Sequence, residues 1–275
     1  MQIQSDSPAL IYVYAFIPTE EYDQHSWVEA DGMEPPQKIE GLRLNDMITA
    51  VTCKVPEKDY SQDILQKKVE DMEWLQGRAF HHHEVMNQLH ENFTVIPLKF
   101  GTIYEQADHL TKRITIDKEN IQKIFAYLSE KEEWNIKIYV EEEKYIKNMM
   151  DQEKEVERKK EEIEKLSPGK RFFEKKKLDQ FAEEKAKENI QNTCRAIHEK
   201  LCASSFNEEV KKNWERKVTG RNDEMNWNGV YLIKTDSRDK FLDIVENEQR
   251  KAEETGAGIS IAVTGPWPAY HFSDM

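Results

Sequence analysis

The stretch Val95–Tyr104, VIPLKFGTIY, is an apolar run with Pro97 inside it and Gly101 near its end. Proline donates no backbone hydrogen bond, so a strand holds it only at an edge, a bulge or a first position. The run therefore reads as a short strand or strand entry of special geometry, and the elements around it decide what it joins. Before it, Ser61 opens a long helix whose Leu65, Met72, Leu75, Ala79, His82, Met86 and Leu89 recur mostly at three, four and seven, a single apolar stripe. Gly77 interrupts this helix at a propensity cost of about 1 kcal/mol, which points to a close backbone approach. The helix breaks near Asn92. Earlier still, Leu10–Ile17 is almost continuously apolar and rich in aromatic and β-branched residues, an inner strand. The Gly and Pro residues of Asp31–Pro36 mark a loop. Met47–Val55 alternates as a second strand, and Pro56 ends it. Strand, strand, helix, strand makes one small α+β unit closing near residue 105.

Beyond it, Asp117 is placed to cap a helix, with Ile116 and Ile121 as its staple and Ile121, Ile124, Phe125 and Leu128 on one face. Trp134–Val140 alternates as a strand. From Glu141 to Ser204 the composition turns to mixed Glu and Lys, broken once by Ser167-Pro168-Gly169. Sparse positions at three/four spacing (Ile146, Met149, Glu153, Val156, Lys160, Ile163, then Ile190, Cys194, Ile197, Leu201) predict an antiparallel coiled-coil hairpin with a thin seam, turning at the Pro-Gly pair. Residues 205–228 carry no clear pattern. Gly229–Lys234 reads as a strand, Asp236 or Ser237 caps a helix stopped by Gly256, and Ile259–Val263 is a last strand feeding GPWPAYHF. The expected fold is α+β: two small, loosely ferredoxin-like units, 1–105 and 106–275, the second carrying a protruding hairpin inserted at 141–204.

Several chemistries find no support. The 275 residues carry a net charge of -13, 34% charged side chains and 38% hydrophobic ones, with a pI near 5.2 and a mean hydropathy of -0.84. That balance disfavours nucleic acid, since phosphate contact needs clustered positive charge. No apolar run approaches the roughly 20 residues that cross a bilayer, and the start MQIQSDSPAL lacks a signal-peptide pattern. A cytoplasmic protein with no membrane partner is expected. Cys53, Cys194 and Cys202 are scattered and read as reduced structural thiols. Successive helical residues point about 100° apart, so His81, His82 and His83 cannot converge on a metal, and no metal or cofactor is expected. His82 falls on the apolar stripe, where a buried, hydrogen-bonded histidine is the default. No phosphate loop, dinucleotide fingerprint or nucleophile elbow occurs. The acidic residues are too numerous to single out a carboxylate pair.

Five segments together resemble the gas vesicle protein F/L family: IYVYAFIP near the start, HHEVMNQL, PLKFGT, GVYLIK and the terminal GPWP. Lys99 stands where that family usually has arginine, and Ala269 where a third proline is common. The resemblance covers nearly the whole chain, weakly in the middle. It implies a non-enzymatic accessory factor for gas vesicle assembly, located in the cytoplasm and at the gas vesicle. Such a factor binds the hydrophobic major shell subunit to chaperone it or to nucleate the shell, and stays as a minor shell component or leaves. His82 matches the family's recurrent histidine and is expected to brace the helix against the PLKFGT strand. Two other classes stand beside this: a scaffold joining other gas vesicle accessory proteins through the hairpin, and a carboxylate-based hydrolase.

The candidate partner-binding residues are Pro97, Leu98, Lys99, Phe100 and Gly101, with Trp267, Tyr270 and Phe272 of the tail. Gly265, Pro266 and Pro268, together with His82, are structural candidates. For the aromatic tail two readings stand: a docking surface, as interface enrichment suggests, or a cover folded onto its own core.

Overall fold

The computed structural model describes residues 8–25, 30–152 and 154–274. Glu153 of the expected seam and the start Met1–Ser7 lie outside them. The chain divides into two units, Met1–Glu132 with Trp267–Met275, and Glu133–Pro266.

Unit 1 contains β1 (Ala9–Pro18), α1 (Thr19–Gln24), β2 (Glu40–Arg43), β3 (Ile48–Pro56), α2 (Glu57–Tyr60), α3 (Gln62–Lys68), α4 (Met72–His90), β4 (Ile96–Pro97), β5 (Ile103–Tyr104) and α5 (Ala107–Leu128). Its sheet runs β2-β3-β1-β4, with β5 also on β1, and every pairing is antiparallel. The register of β1 on β3 slips between Val13 and Ala15, leaving Tyr14 as an extra residue. Such a bulge reverses the parity of a strand. Leu10, Tyr12 and Tyr14 before the slip and Ala15 and Ile17 after it consequently share one core with Val85, Met86 and Leu89 of α4. Val13 and Phe16 are buried as well, and α5 also packs on β1, burying its own Leu110, Ile114, Ile121 and Phe125.

Unit 2 contains β6 (Lys131–Val140), α6 (Glu142–Gln152), α7 (Lys154–Glu164), α8 (Pro168–Cys202), β7 (Asn207–Val210), α9 (Arg216–Thr219), β8 (Glu224–Lys234), a 3-10 turn, α10 (Arg238–Thr255) and β9 (Ile259–Trp267). The sheet order is β7-β8-β6-β9. Counted within each unit, both sheets have the order second, third, first, fourth, the ferredoxin-like βαββαβ arrangement. In unit 2 the first crossover is enlarged into a helical hairpin. Ile190, Cys194, Ile197 and Leu201 of α8, with Phe241 and Val245 of α10, cover the face of Trp134, Ile136, Ile138 and Val140. The segment without a readable pattern sits on other residues of β6: Lys137 lies 3.9 Å from the Trp214 ring and Arg221 lies 4.0 Å from the Tyr139 ring.

Several expectations shift. The unit boundary falls at residue 132 rather than 105, because α5 packs on β1, and the tail from Trp267 returns to unit 1. The helix expected from Ser61 is two, since Asp71 accepts hydrogen bonds from the backbone N–H groups of Glu73 and Trp74 and starts α4; Met72 of the expected stripe is 61% exposed. Asp117 lies inside α5, paired with Arg113 at 3.2 Å, and Ile116 is no staple but 81% exposed. Pro168 and Gly169 begin α8 rather than forming the turn, as suits a proline whose missing N–H is not needed in a first turn. β3 is buried on both faces from Ile48 to Cys53 instead of alternating. Gly77 has no atom within 4 Å of a built Cβ, so no close approach explains it.

Two glycines thus predict opposite outcomes. Gly77→Ala adds helix propensity at an open site and is expected to stabilise by about 0.5–1 kcal/mol. Gly265 has φ +144, and a Cβ there would meet the Trp134 ring at 2.8 Å and the Glu133 carbonyl oxygen at 2.9 Å. Gly265→Ala is expected to cost about 1–3 kcal/mol. Urea unfolding of the two variants checks both, and equal midpoints would contradict the assignment.

Candidate functional site

Val95–Tyr104 is a pair of two-residue strands joined by a turn at an edge of the sheet. Phe16 and Ala15 pair with Ile96 and Pro97, and Tyr12 and Ile11 pair with Ile103 and Tyr104. Between them the Leu98 N–H donates to the Tyr14 carbonyl and the Val13 N–H to the Thr102 carbonyl, both at 2.9 Å. Pro97 is tolerated because the strand is an edge. The turn closes with the Thr102 hydroxyl donating to the Lys99 carbonyl at 2.7 Å. Gly101 takes φ +81, a conformation that glycine adopts at no steric cost.

Beneath the turn lies a hydrogen-bonded chain. The Gly101 N–H donates to the Tyr12 hydroxyl at 3.2 Å, which also shares a hydrogen bond with His82 Nδ1 at 2.8 Å. His82 Nε2 is buried and makes no well-formed hydrogen bond. Tyr14 stacks on the His82 ring, and its hydroxyl meets His81 Nε2 at 3.0 Å and Cys53 Sγ at 3.5 Å. Burial pushes the His82 pKa down to about 4, with the Leu98 backbone pulling the other way and His81 and His83 adding to the fall. Burial also lowers His81 and raises Tyr12, Tyr14 and Cys53. The three histidines diverge: His81 to Tyr14, His82 to Tyr12, and His83 to the Trp267 ring at 5.0 Å.

The expected partner residues separate into two sets. Phe100 and Tyr270 pack on the unit 1 core, Leu98 is buried, and Pro97, Gly101, Trp267 and Phe272 are half-buried. Pro268 and Ala269 are buried and Pro266 is exposed. Lys99 is exposed. Leu98, Lys99, Thr102 and Tyr104 border a concave surface of about 520 Å³ with Arg113, Ile114, Asp117 and Asn120 of α5 and Ser273 and Asp274 of the tail. Its floor is apolar, Phe16 and Ile114, and its rim carries both signs of charge. Exposed Ile116 lies three residues from Arg113 and four from Asn120, on the same side of α5. Sequence reasoning missed the α5 and tail residues. The apolar spacing of α5 was readable, but not which strand it packs on.

Among the described residues no group of three His, Cys, Asp or Glu could hold a metal ion. His82 is 5% exposed, not presented to solvent beside Glu84 as a hydrolase would use it.

The buried imidazole predicts a pH dependence. A histidine whose folded pKa of about 4 lies below its ordinary 6.5 gives full stability above pH 6.5. That contribution declines as pH falls towards 4 and amounts to about 3 kcal/mol in all. Urea unfolding of the wild type and His82→Asn between pH 7 and 4.5 should show the wild type losing stability faster than the variant. Parallel curves would exclude His82 as the titrating group.

The same chain can be placed among known proteins. Residues 10–274 match the family described as gas vesicle synthesis protein GvpL/GvpF. Gas vesicle protein L of Streptomyces sp. (strain CB03234) is 22% identical over 244 residues, covering 89% of this chain and 85% of that protein. The fold resembles the crystal structure of gas vesicle protein GvpF from Anabaena sp. PCC7120, with a TM-score of 0.69 at 18% identity over 97% of this chain and 99% of that one. GvpF from Microcystis aeruginosa superposes with a TM-score of 0.61 at 16% identity and the same coverage. With the match running from the first strand to the tail, the chain belongs to the gas vesicle synthesis protein GvpL/GvpF family, whose members are accessory proteins of gas vesicles.

Proposed function

We propose that this protein is a non-enzymatic assembly factor that binds the hydrophobic major shell subunit and holds or nucleates it during shell formation. The observation that supports the reading is the concave surface of unit 1, where the PLKFGT turn, α5 and the tail meet over an apolar floor. Exposed Ile116 beside it extends the apolar area. Contact with a very hydrophobic subunit gains from apolar burial at about 25 cal/mol per Å². The -13 charge of the chain keeps a complex dispersed. His82 and Tyr12 brace the turn from below, so that Lys99, Thr102 and Tyr104 are presented at fixed positions. Tyr270 packs on the unit 1 core and Trp267 meets the His83 ring, while Ser273 and Asp274 are the tail residues that border this surface. The proposed location is the cytoplasm during assembly and the gas vesicle itself.

Co-expression with a gas vesicle shell subunit, followed by size-exclusion chromatography of the soluble fraction, tests the reading. Wild-type protein is expected to co-elute with the subunit. Ile116→Glu combined with Asn120→Arg should reduce the recovered subunit about tenfold, a change of ~1.4 kcal/mol, with the unfolding midpoint unchanged because both positions are exposed. Undiminished co-elution would move the contact elsewhere, and an insoluble subunit with no complex would sink the proposal.

A further inference from the structure

The hairpin of unit 2 ends in an aromatic surface that its own packing does not use. Its seam near the tip is thin: Val156, Ile163 and Leu178 are buried together, with Met150 against them. The guanidinium of Arg171 donates to the Glu164 and Leu166 carbonyls and closes the end of α7. Just beyond, Phe172, Phe173 and Phe181 are 68%, 66% and 47% exposed. Adjacent helical residues point about 100° apart, so Phe172 and Phe173 cannot both enter a seam. A single exposed phenylalanine is ordinary, but three on one helical arm mark a contact surface.

Phe173 and Phe181 stand two turns apart on α8 and, with Ile163, Leu166 and Leu178, line a groove of about 790 Å³ between α7 and α8. Lys159, Lys170 and Lys177 border it, and the Lys159 ammonium lies 5.2 Å from the centre of the Phe181 ring. From Pro168 to Leu178 the sequence has five basic residues and one acidic, in a chain of net charge -13. The groove is thus apolar inside, and its wall carries Lys159, Lys170 and Lys177 against Glu162 and Glu174, a positive excess in a chain of net charge -13.

We infer that this groove docks an acidic amphipathic helix of a partner protein. The partner's apolar stripe enters between Phe173 and Phe181, and its flanking carboxylates meet Lys159, Lys170 and Lys177. A cleft between two helices accepts a third by ridge-into-groove packing, with anchors one turn apart. A flat anionic membrane fits less well. The apolar side chains line a concavity between two helices, which a helix enters and a flat surface does not. This site goes beyond the shell-subunit reading, which concerns unit 1, and does not depend on it.

The test uses the full chain and a fluorescein-labelled designed helix of about 20 residues, ~30 Å long, with a leucine stripe flanked by glutamates. The control is the same peptide with lysine for glutamate. The acidic peptide should bind saturably by fluorescence anisotropy, and the basic one about tenfold more weakly. Phe173→Ala with Phe181→Ala should weaken the acidic peptide about tenfold, while shell-subunit co-elution is unchanged. Lys170→Glu with Lys177→Glu should invert the preference towards the basic peptide, a result that general damage cannot produce. Equal binding of both peptides, no binding of either, or insensitivity to these substitutions would overturn the inference. So would binding confined to phosphatidylglycerol vesicles. Sedimentation that shows a dimer dissolved by Phe173→Ala would assign the groove to a second copy instead.

Discussion

A strand buried on both faces cannot pass its polar groups to water, and β1 is such a strand from Tyr12 to Ile17. Each of its backbone and hydroxyl groups needs a protein partner, because an unmet buried donor or acceptor costs about 1–3 kcal/mol. The bulge at Tyr14 sharpens the demand by leaving a residue outside the β3 ladder. The turn after Pro97 supplies the answer: its Leu98 N–H and Thr102 carbonyl take up the Tyr14 carbonyl and Val13 N–H. Tyr12, fixed between Gly101 and His82, links that turn to α4. The surface over the turn has its shape because the strand below must be satisfied.

The two units show one arrangement put to different uses. Both order their strands second, third, first, fourth. Unit 1 places the six-residue α1 in its first crossover and adds α5 on β1. Unit 2 extends the same crossover into α6, α7 and the 35-residue α8. Near the sheet α8 is anchored by Ile190, Cys194, Ile197 and Leu201. Towards the tip only a few apolar residues remain between the helices, and aromatic side chains turn outward. A helix that long gains most of its stability from packing, so a thin seam leaves the tip's outer faces available to a partner.

Charge separates the two surfaces. The unit 1 concavity mixes Lys99 and Arg113 with Asp117 and Asp274 over an apolar floor, which suits a partner chosen by hydrophobic contact. The hairpin groove is apolar with three lysines and two glutamates on its wall, a positive excess that suits a partner of opposite sign. Electrostatic complementarity contributes more to specificity and encounter rate than to affinity.

The sequence by itself determined the α+β class, the inner strand Leu10–Ile17, the helical hairpin, the Gly256 stop and the divergence of His81, His82 and His83. All of these follow from local periodicity, capping or helix geometry. PLKFGT with GPWP carried the family. Contacts between segments distant in the chain were not legible. The bulge at Tyr14 exists only against β3, and it alone puts Tyr12, Tyr14, Ala15 and Ile17 on one face. The boundary moved from 105 to 132 because α5 found its buried face on β1, and the aromatic tail returned to unit 1. The site followed the same logic: Lys99 was readable within its motif, whereas Arg113, Asn120 and Ser273 joined it only through packing. Local pattern sets which face of an element is apolar, and tertiary structure alone decides which other face it meets.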